Sequence, residues 1–297
     1  MMSPFVPRFL TGALLIATWS LVAIAAETGR VAVHSGASED YTARKFTEEG
    51  PQIETYVVAE GKFFGGESRD TTMRATTFTD IANVLAHDLA NQEYLPAPNQ
   101  ETADLLIIVH WGTTLPGAID PFLEDQLNDL TNEFFEEQAA SEGLTDLGKL
   151  SEIETLNRTY QMSVEQAIAE SSKLLGYQEA LAKERHRVTV SGMTDAENTL
   201  RAELLEERYF IIMMAWDNQG LLRKETPKLL WSTRFSMRAP GKNFTMALPA
   251  LSRVASNYFG RKTNGIVRGR THLGKGNVEY GELEILGTEP TEPRPSK

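Results

Sequence analysis

No cysteine occurs anywhere in the 297 residues. That absence excludes structural disulfides, thiolate nucleophiles and the lipid-bearing cysteine of bacterial lipoproteins. Histidine is nearly as scarce: His34, His87, His110, His186 and His272 stand far apart, and no two have the helical spacing of zinc ligands. No metal or cofactor is therefore expected. Gly-x-Ser-x-Gly is missing too, which leaves a serine-elbow hydrolase without support. Gly269 to Gly276 approaches a phosphate-binding P-loop, but Gly276 stands where a Ser or Thr hydroxyl should hold magnesium. Ile266-Val267 is also too short for the buried strand that such a loop must leave. Positive charge is in deficit, 29 Lys and Arg against 41 Asp and Glu for a net of −12, which argues against nucleic acid as a partner.

What is present begins with an address. Arg8 is the one charge in the first eight residues, Phe9 to Ala26 is almost unbroken apolar sequence, and the run ends in Ala23-Ile24-Ala25-Ala26. A basic start, an apolar middle and a small-x-small exit compose a secretory signal peptide over residues 1–26. The run is eighteen residues long, near the lower limit for crossing a bilayer, so an uncleaved N-terminal anchor is the alternative. Either way the body is expected outside the cytoplasm, periplasmic or envelope-associated, and in contact with membrane only through an uncleaved N-terminal segment.

Charge is divided along the chain. Residues 101–150 carry eleven acids and one base, Lys149, whereas residues 221–275 carry twelve Lys or Arg and one acid, Glu225. Such blocks either attract each other within the fold or display opposite faces. Exposed pairs contribute only ~0–1 kcal/mol each, so the pattern points to recognition or solubility rather than stability.

Residues 27–50 read as a polar, mobile lead-in, interrupted by Val31-Ala32-Val33. Ile53 to Ala59 is β-branched and aromatic and predicts a strand; Gly61 to Thr77 predicts a loop. Phe78, Ile81, Leu85 and Leu89 give a helix with one buried stripe, and the uninterrupted Leu105 to Val109 a strand buried on both faces. A helical block follows. Asp120-Pro121 supplies a start signal, Ser151 to Glu154 a capping box opening a second helix, and Thr194 to Glu197 another before a third, while Gly176 interrupts or bends the second. Tyr209 to Trp216 returns to strand, with a turn over Asp217 to Gly220. From Leu229 to Arg238, apolar and polar residues alternate, the pattern of a strand with one packed and one mostly wet face. Phe244, Leu248, Leu251 and Ala255 form a last helical stripe, with Pro249 in its first turn or kinking it. Gly260 to Gly276 reads as a flexible basic loop, Val278 to Leu286 as one more strand, and residues 288–297 as a disordered tail.

This order of elements, with Ala103-Asp104-Leu105-Leu106-Ile107 entering a buried strand and Lys228-Leu229-Leu230-Trp231 in a hairpin before a final helix, resembles an uncharacterised domain of bacterial envelope lipoproteins. The resemblance spans residues 53–111 and 207–260 and departs at two points: the lipid-bearing cysteine is lacking, and a helical block is inserted at about 120–206. It implies a fold and a location, and no activity. The expected architecture is thus α+β: a small mixed β-sheet, β-α-β plus ββα, with the helical insertion, in a single domain over residues 27–287.

Four residues stand out as candidates for binding. Arg234 and Arg238 lie four residues apart on one face of a strand, ~13 Å from each other. The competing structural reading is an edge strand protected by charge. His110 and Trp111 end a buried strand, where α/β sheets present functional side chains; the competing reading is a structurally satisfied histidine. The expected function is non-catalytic binding or assembly with an envelope protein or an anionic envelope component. The alternative is a secreted hydrolase that uses carboxylates with His110, since acid pairs for hydrolysis leave no local spacing rule.

Overall fold

The computed structural model describes residues 28–65, 70–114, 121–140, 146–187, 192–239 and 243–273. Apolar alternation and unbroken apolar runs become strands, and three- and four-residue apolar steps become helices. In chain order these are β1 (Thr28–Ala37), α1 (Glu39–Lys45), the ribbon β2 (Phe46–Thr47) and β3 (Gly50–Pro51), β4 (Glu54–Phe64), α2 (Thr71–Ala75), α3 (Phe78–Ala90), β5 (Tyr94–Pro96) and β6 (Leu105–Thr114). The insertion α4 (Pro121–Ala140), α5 (Leu147–Leu175), α6 (Gln178–Arg185) and α7 (Asp195–Leu205) follows. The chain closes with β7 (Arg208–Asp217), α8 (Asn218–Leu222), β8 (Leu229–Arg238), α9 (Phe244–Ser256) and β9 (Val267–His272). The fold is mixed α+β, as the sequence predicts. Among the described residues its main sheet has seven strands in the order β5-β4-β6-β7-β8-β1-β9, with β4 parallel to β5 and β6 and the other neighbours antiparallel.

The two faces of the sheet are covered differently. On the first, Val31, Val33, Ile107, Val109, Ile211, Met213, Phe235 and Met237 pack beneath Ile81, Leu85 and Leu89 of α3 and Phe244, Leu248, Leu251 and Ala255 of α9. Burial of each large aliphatic side chain contributes ~1.5–3 kcal/mol, so this layer carries most of the hydrophobic stabilisation. On the second face, Ala32, Phe210 and Ile212 pack against Ile168 and Leu175 of α5, Leu181 of α6, and Leu200 and Leu204 of α7. Only the C-terminal half of α5 takes part. Its N-terminal half pairs with α4 through the half-buried Leu123, Leu127 and Leu130 and the buried Phe134. Lys149 closes that pair with ion pairs to Glu137 (2.8 Å) and Glu133 (3.3 Å).

Several expectations are corrected. Residues 28–37 are an interior strand rather than a mobile lead-in: Val31 and Val33 are fully buried, and the polar Arg30 and His34 that disguise the strand lie on its other face. β4 runs on to Phe64, and α2 lies within the stretch read as a loop. α5 starts four residues before Ser151, because Asp146 caps it by accepting from the Gly148 and Lys149 amides, and Gly176 ends it instead of bending it. The Asp217 turn becomes the short helix α8, capped by Asp217 itself. Pro249 lies in the second turn of α9, beyond the first. Residues 267–272 form the edge strand β9 within the stretch 260–276 that reads as a flexible basic loop. β8 is an interior strand, which removes the edge-strand reading of its arginines. Its second face is not mostly wet either, because α5–α7 leave Ser232 and Ser236 buried. The signal segment 1–26, the strand expected at 278–286 and the tail 288–297 lie outside the described residues. Among the described residues no helix is long and apolar enough to cross a membrane.

Candidate functional site

Side chains on alternate residues of a strand share a face, and the registers assemble rows of them on the second face of the sheet. One row runs His110, Ile212, Arg234, His34 across β6, β7, β8 and β1. The next row toward the insertion runs Gly112, Phe210, Ser236, Ala32, Arg268. The third brings Thr114 beside Arg208, Arg208 beside Arg238, and Arg30 beside Arg270. Below the first row lie two apolar pairs, Ile108 with Met214 and Leu106 with Trp216, all half-buried. The basic and apolar parts of this face therefore meet at Arg234.

Arg234 is half-buried, and its Nη1 donates to Ser232 Oγ at 3.3 Å. Its Nε is buried without a hydrogen-bond partner, and no carboxylate pairs with it among the described residues. Burial pushes its guanidinium below the usual arginine range. A cation withdrawn from water without a counter-charge costs folding free energy that paired charges would offset. His34 beside it is held below the usual imidazole range by burial and then by the Arg234 charge, against the pull of Glu179. The His34 ring sits under the end of α5, where Gly176 has φ +80° and an added Cβ would lie 2.7 Å from His34 Nδ1. Glycine at this cap therefore does two things: it adopts the left-handed conformation and leaves room for the imidazole.

Arg238 differs from its neighbour. Its side chain is 77% exposed and stands 3.9 Å from Glu206. Arg208, opposite it, is buried and well satisfied: Nε donates to Ser236 Oγ (3.2 Å), and Nη1 lies 3.5 Å from Glu206. Arg30 and Arg270 face each other on β1 and β9, both exposed.

His110 shares the row of Arg234 but is engaged locally. Its Nδ1 accepts the Lys62 amide N–H at 2.8 Å, across the point where the β4–β6 register shifts. Gly61 permits that approach, since a Cβ there would lie 2.6 Å from the imidazole. Burial lowers the His110 pKa, and no carboxylate hydrogen-bonds or ion-pairs with it among the described residues. Trp111 points to the opposite face, where it is buried against Phe78 and Phe63 at ring separations of 5.8 and 5.5 Å. The structure thus gathers Arg234, Arg238 and His110 on one face and separates Trp111 from them. Among the described residues no group of three or more His, Asp or Glu could hold a metal ion.

Sequence reasoning missed Arg30, Arg208 and His34. Short alternation around Val31 and Val33 was the one signal that could have placed Arg30 and His34 on a strand. Nothing local marks Arg208 as the neighbour of Arg238.

No protein-family model matches the chain, and no curated protein matches it either. Among solved structures it is similar to a DUF4136 family protein from Bacteroides thetaiotaomicron, at 10% identity and a TM-score of 0.30, over 77% of this chain and 96% of that one. The likeness is weak and says nothing of ligand, activity or partner.

Proposed function

We propose that this is an exported, envelope-associated protein with a non-catalytic binding role. In this reading it folds as a single domain carrying the helical insertion. The second face of its sheet, at Arg234 and Arg238, holds an anionic partner, either an envelope protein or another anionic envelope component. Arg234 carries the reading. A half-buried guanidinium on an interior strand, without a carboxylate partner among the described residues, is poorly matched to the folded chain alone and well matched to an incoming anion. The apolar strip of Ile108, Met214, Leu106 and Trp216 beside it would let the same partner bury hydrophobic surface. The signal-like N-terminus supplies the location. His110, tied to the Lys62 amide and without a carboxylate partner among the described residues, gives the hydrolase alternative no support.

The test is crosslinking in cells with the wild-type chain, an Arg234→Glu, Arg238→Glu variant and an Arg234→Met variant. Loss of the same crosslinked species from both variants, with unchanged folding by circular dichroism, is the expected result. An unchanged set of partners would overturn the docking face, and turnover in a broad hydrolase screen would overturn the non-catalytic role.

A further inference from the structure

A cleft of about 700 Å³ lies at the far edge of the same face, between the β1–β9 edge and the helices α6 and α7. It is separate from Arg234, and the inference drawn from it does not rest on the docking reading. Arg30 and Arg268 line one wall, while Lys183, Glu179 and Glu184 of α6 and Thr199 of α7 line the other. Arg270 stands directly opposite Arg30 in the antiparallel register. Like charges so placed destabilise a sheet, since directly opposed Cβ atoms are only ~5 Å apart.

The charges in this cleft are unequally satisfied. Arg268 is committed to Glu203 in a two-pronged contact, Nε to Oε1 at 3.0 Å and Nη2 to Oε2 at 2.8 Å. Glu184 is taken up by Arg187 at 3.2 Å and by the Thr194 hydroxyl at 3.3 Å. Arg30, Arg270 and Lys183 have neither an ion pair nor a side-chain hydrogen bond among the described residues. Two uncommitted cations, Arg30 and Lys183, thus line the opening, a third, Arg270, stands opposite Arg30 in the register, and Glu179 is the one lining acid without an ion pair or side-chain hydrogen bond among the described residues.

The geometry points to a site for a sugar phosphate, its phosphate monoester held by Arg30, Arg270 and Lys183. A carboxylate has two oxygens, which a single arginine fork satisfies; a phosphate monoester presents three terminal oxygens and up to two negative charges, enough for all three cations. The volume suits a small ligand. Glu179 and the side chains of Thr199 and Asn264, also in the lining, offer acceptors and donors for ring hydroxyls. The neighbourhood is exposed, so binding should be moderate and salt-sensitive.

Isothermal titration calorimetry of the full chain with glucose-1-phosphate tests this, with inorganic phosphate and phosphatidylglycerol vesicles as comparison ligands. The expected result is saturable binding of glucose-1-phosphate, tighter than inorganic phosphate, that Arg30→Ala and Arg270→Ala each weaken at least about tenfold, the loss of a charge-assisted hydrogen bond. Both side chains are exposed and repel each other, so thermal unfolding at or above the wild-type temperature would show that the variants stay folded. Arg234→Met should leave this binding intact, which separates the site from the docking face. No saturable binding, equal binding of inorganic phosphate, binding to vesicles alone, or insensitivity to both substitutions would each overturn the proposal.

Discussion

Replacing Arg234 by methionine should leave the protein as stable or more so while removing the centre of the proposed binding face. The wild-type guanidinium leaves one buried N–H, at Nε, without an acceptor. A buried unsatisfied donor costs ~1–3 kcal/mol. Against this stands one neutral acceptor, Ser232 Oγ at 3.3 Å, a hydrogen bond contributing about 1 kcal/mol. Methionine keeps the apolar stem that packs on the sheet and removes the polar head. The net gain is then about 0–2 kcal/mol in urea unfolding followed by circular dichroism, with an unchanged m-value. A second readout does not depend on that sum. Arg234 is one of two causes that lower the His34 pKa, burial being the larger. In Arg234→Met the imidazole should titrate higher by NMR, yet still below 6.5 because burial remains. The pH dependence follows in sign. Above pH 6.5 His34 is neutral in both folded and unfolded chains and contributes nothing. Below it the unfolded chain takes the proton first, so stability falls as pH falls toward the folded pKa. That loss should be smaller in Arg234→Met. A variant destabilised by about 1 kcal/mol or more, or an unmoved His34 titration, would refute the view of Arg234 as an uncompensated cation.

Two further outcomes are expected from the local geometry. Gly176→Ala should cost about 2–4 kcal/mol, of which ~1–2 is the left-handed conformation and the rest the collision with His34; in a His34→Ala background only the conformational part should remain, and equal costs in both backgrounds by urea unfolding would sink the contact. Asp70→Ala should cost about 2–4 kcal/mol, because the carboxylate caps α2 and accepts from the Tyr209 hydroxyl (2.7 Å) and the Phe244 amide (2.8 Å), joining α2, β7 and α9. Burial would raise the Asp70 pKa, but the hydrogen bonds from Tyr209, Thr72 and Phe244 outweigh it and hold it below 3.8, so its contribution is full above pH 3.8 and fades as pH falls through the lowered value. A wild-type acid-unfolding curve that matches the Asp70→Ala curve would contradict this.

The core strands were legible because their signals are local. β8 alternates strictly, β6 is an unbroken apolar run, and α3 and α9 repeat their apolar residues at helical steps, so each declares its period within a dozen residues. β1 was not legible. Its buried face is carried by Val31 and Val33, while its other face shows Arg30 and His34, residues usually read as solvated. Only the second layer of helices, supplied from residues 147–205, explains a histidine there. The start of α5 misled for a related reason. Ser151 to Glu154 has the spacing of a cap, but Asp146 is a better one, with two amides bound to a single carboxylate oxygen. For the site, the sequence placed Arg234 and Arg238 on one face correctly. It could not place Arg30 beside Arg270, a pairing of residues 240 positions apart in the chain, because register is fixed by the buried pattern of the whole sheet.

The division of charge acquires a structural meaning once the elements are placed. The acidic block of residues 101–150 includes α4, which has six acids and no base, and α4 pairs with the half of α5 that lies off the sheet. Lys149 pairs within this block, with Glu133 and Glu137. The arginines of the second face take their counter-charges from the return of the insertion instead, Glu203 for Arg268 and Glu206 for Arg208 and Arg238. The insertion therefore does not neutralise the face as a whole. It brings a few carboxylates to it and carries the main acidic surface away on the α4–α5 pair, so Arg234, Arg30 and Arg270 have no ion pair among the described residues. At the exposed Arg30 and Arg270 a paired glutamate would contribute only ~0–1 kcal/mol, so the missing counter-charge weighs most at the half-buried Arg234. Under the proposed reading, three cations left unmatched among the described residues, beside neighbours that are paired, mark the face whose counter-charge arrives from outside the chain.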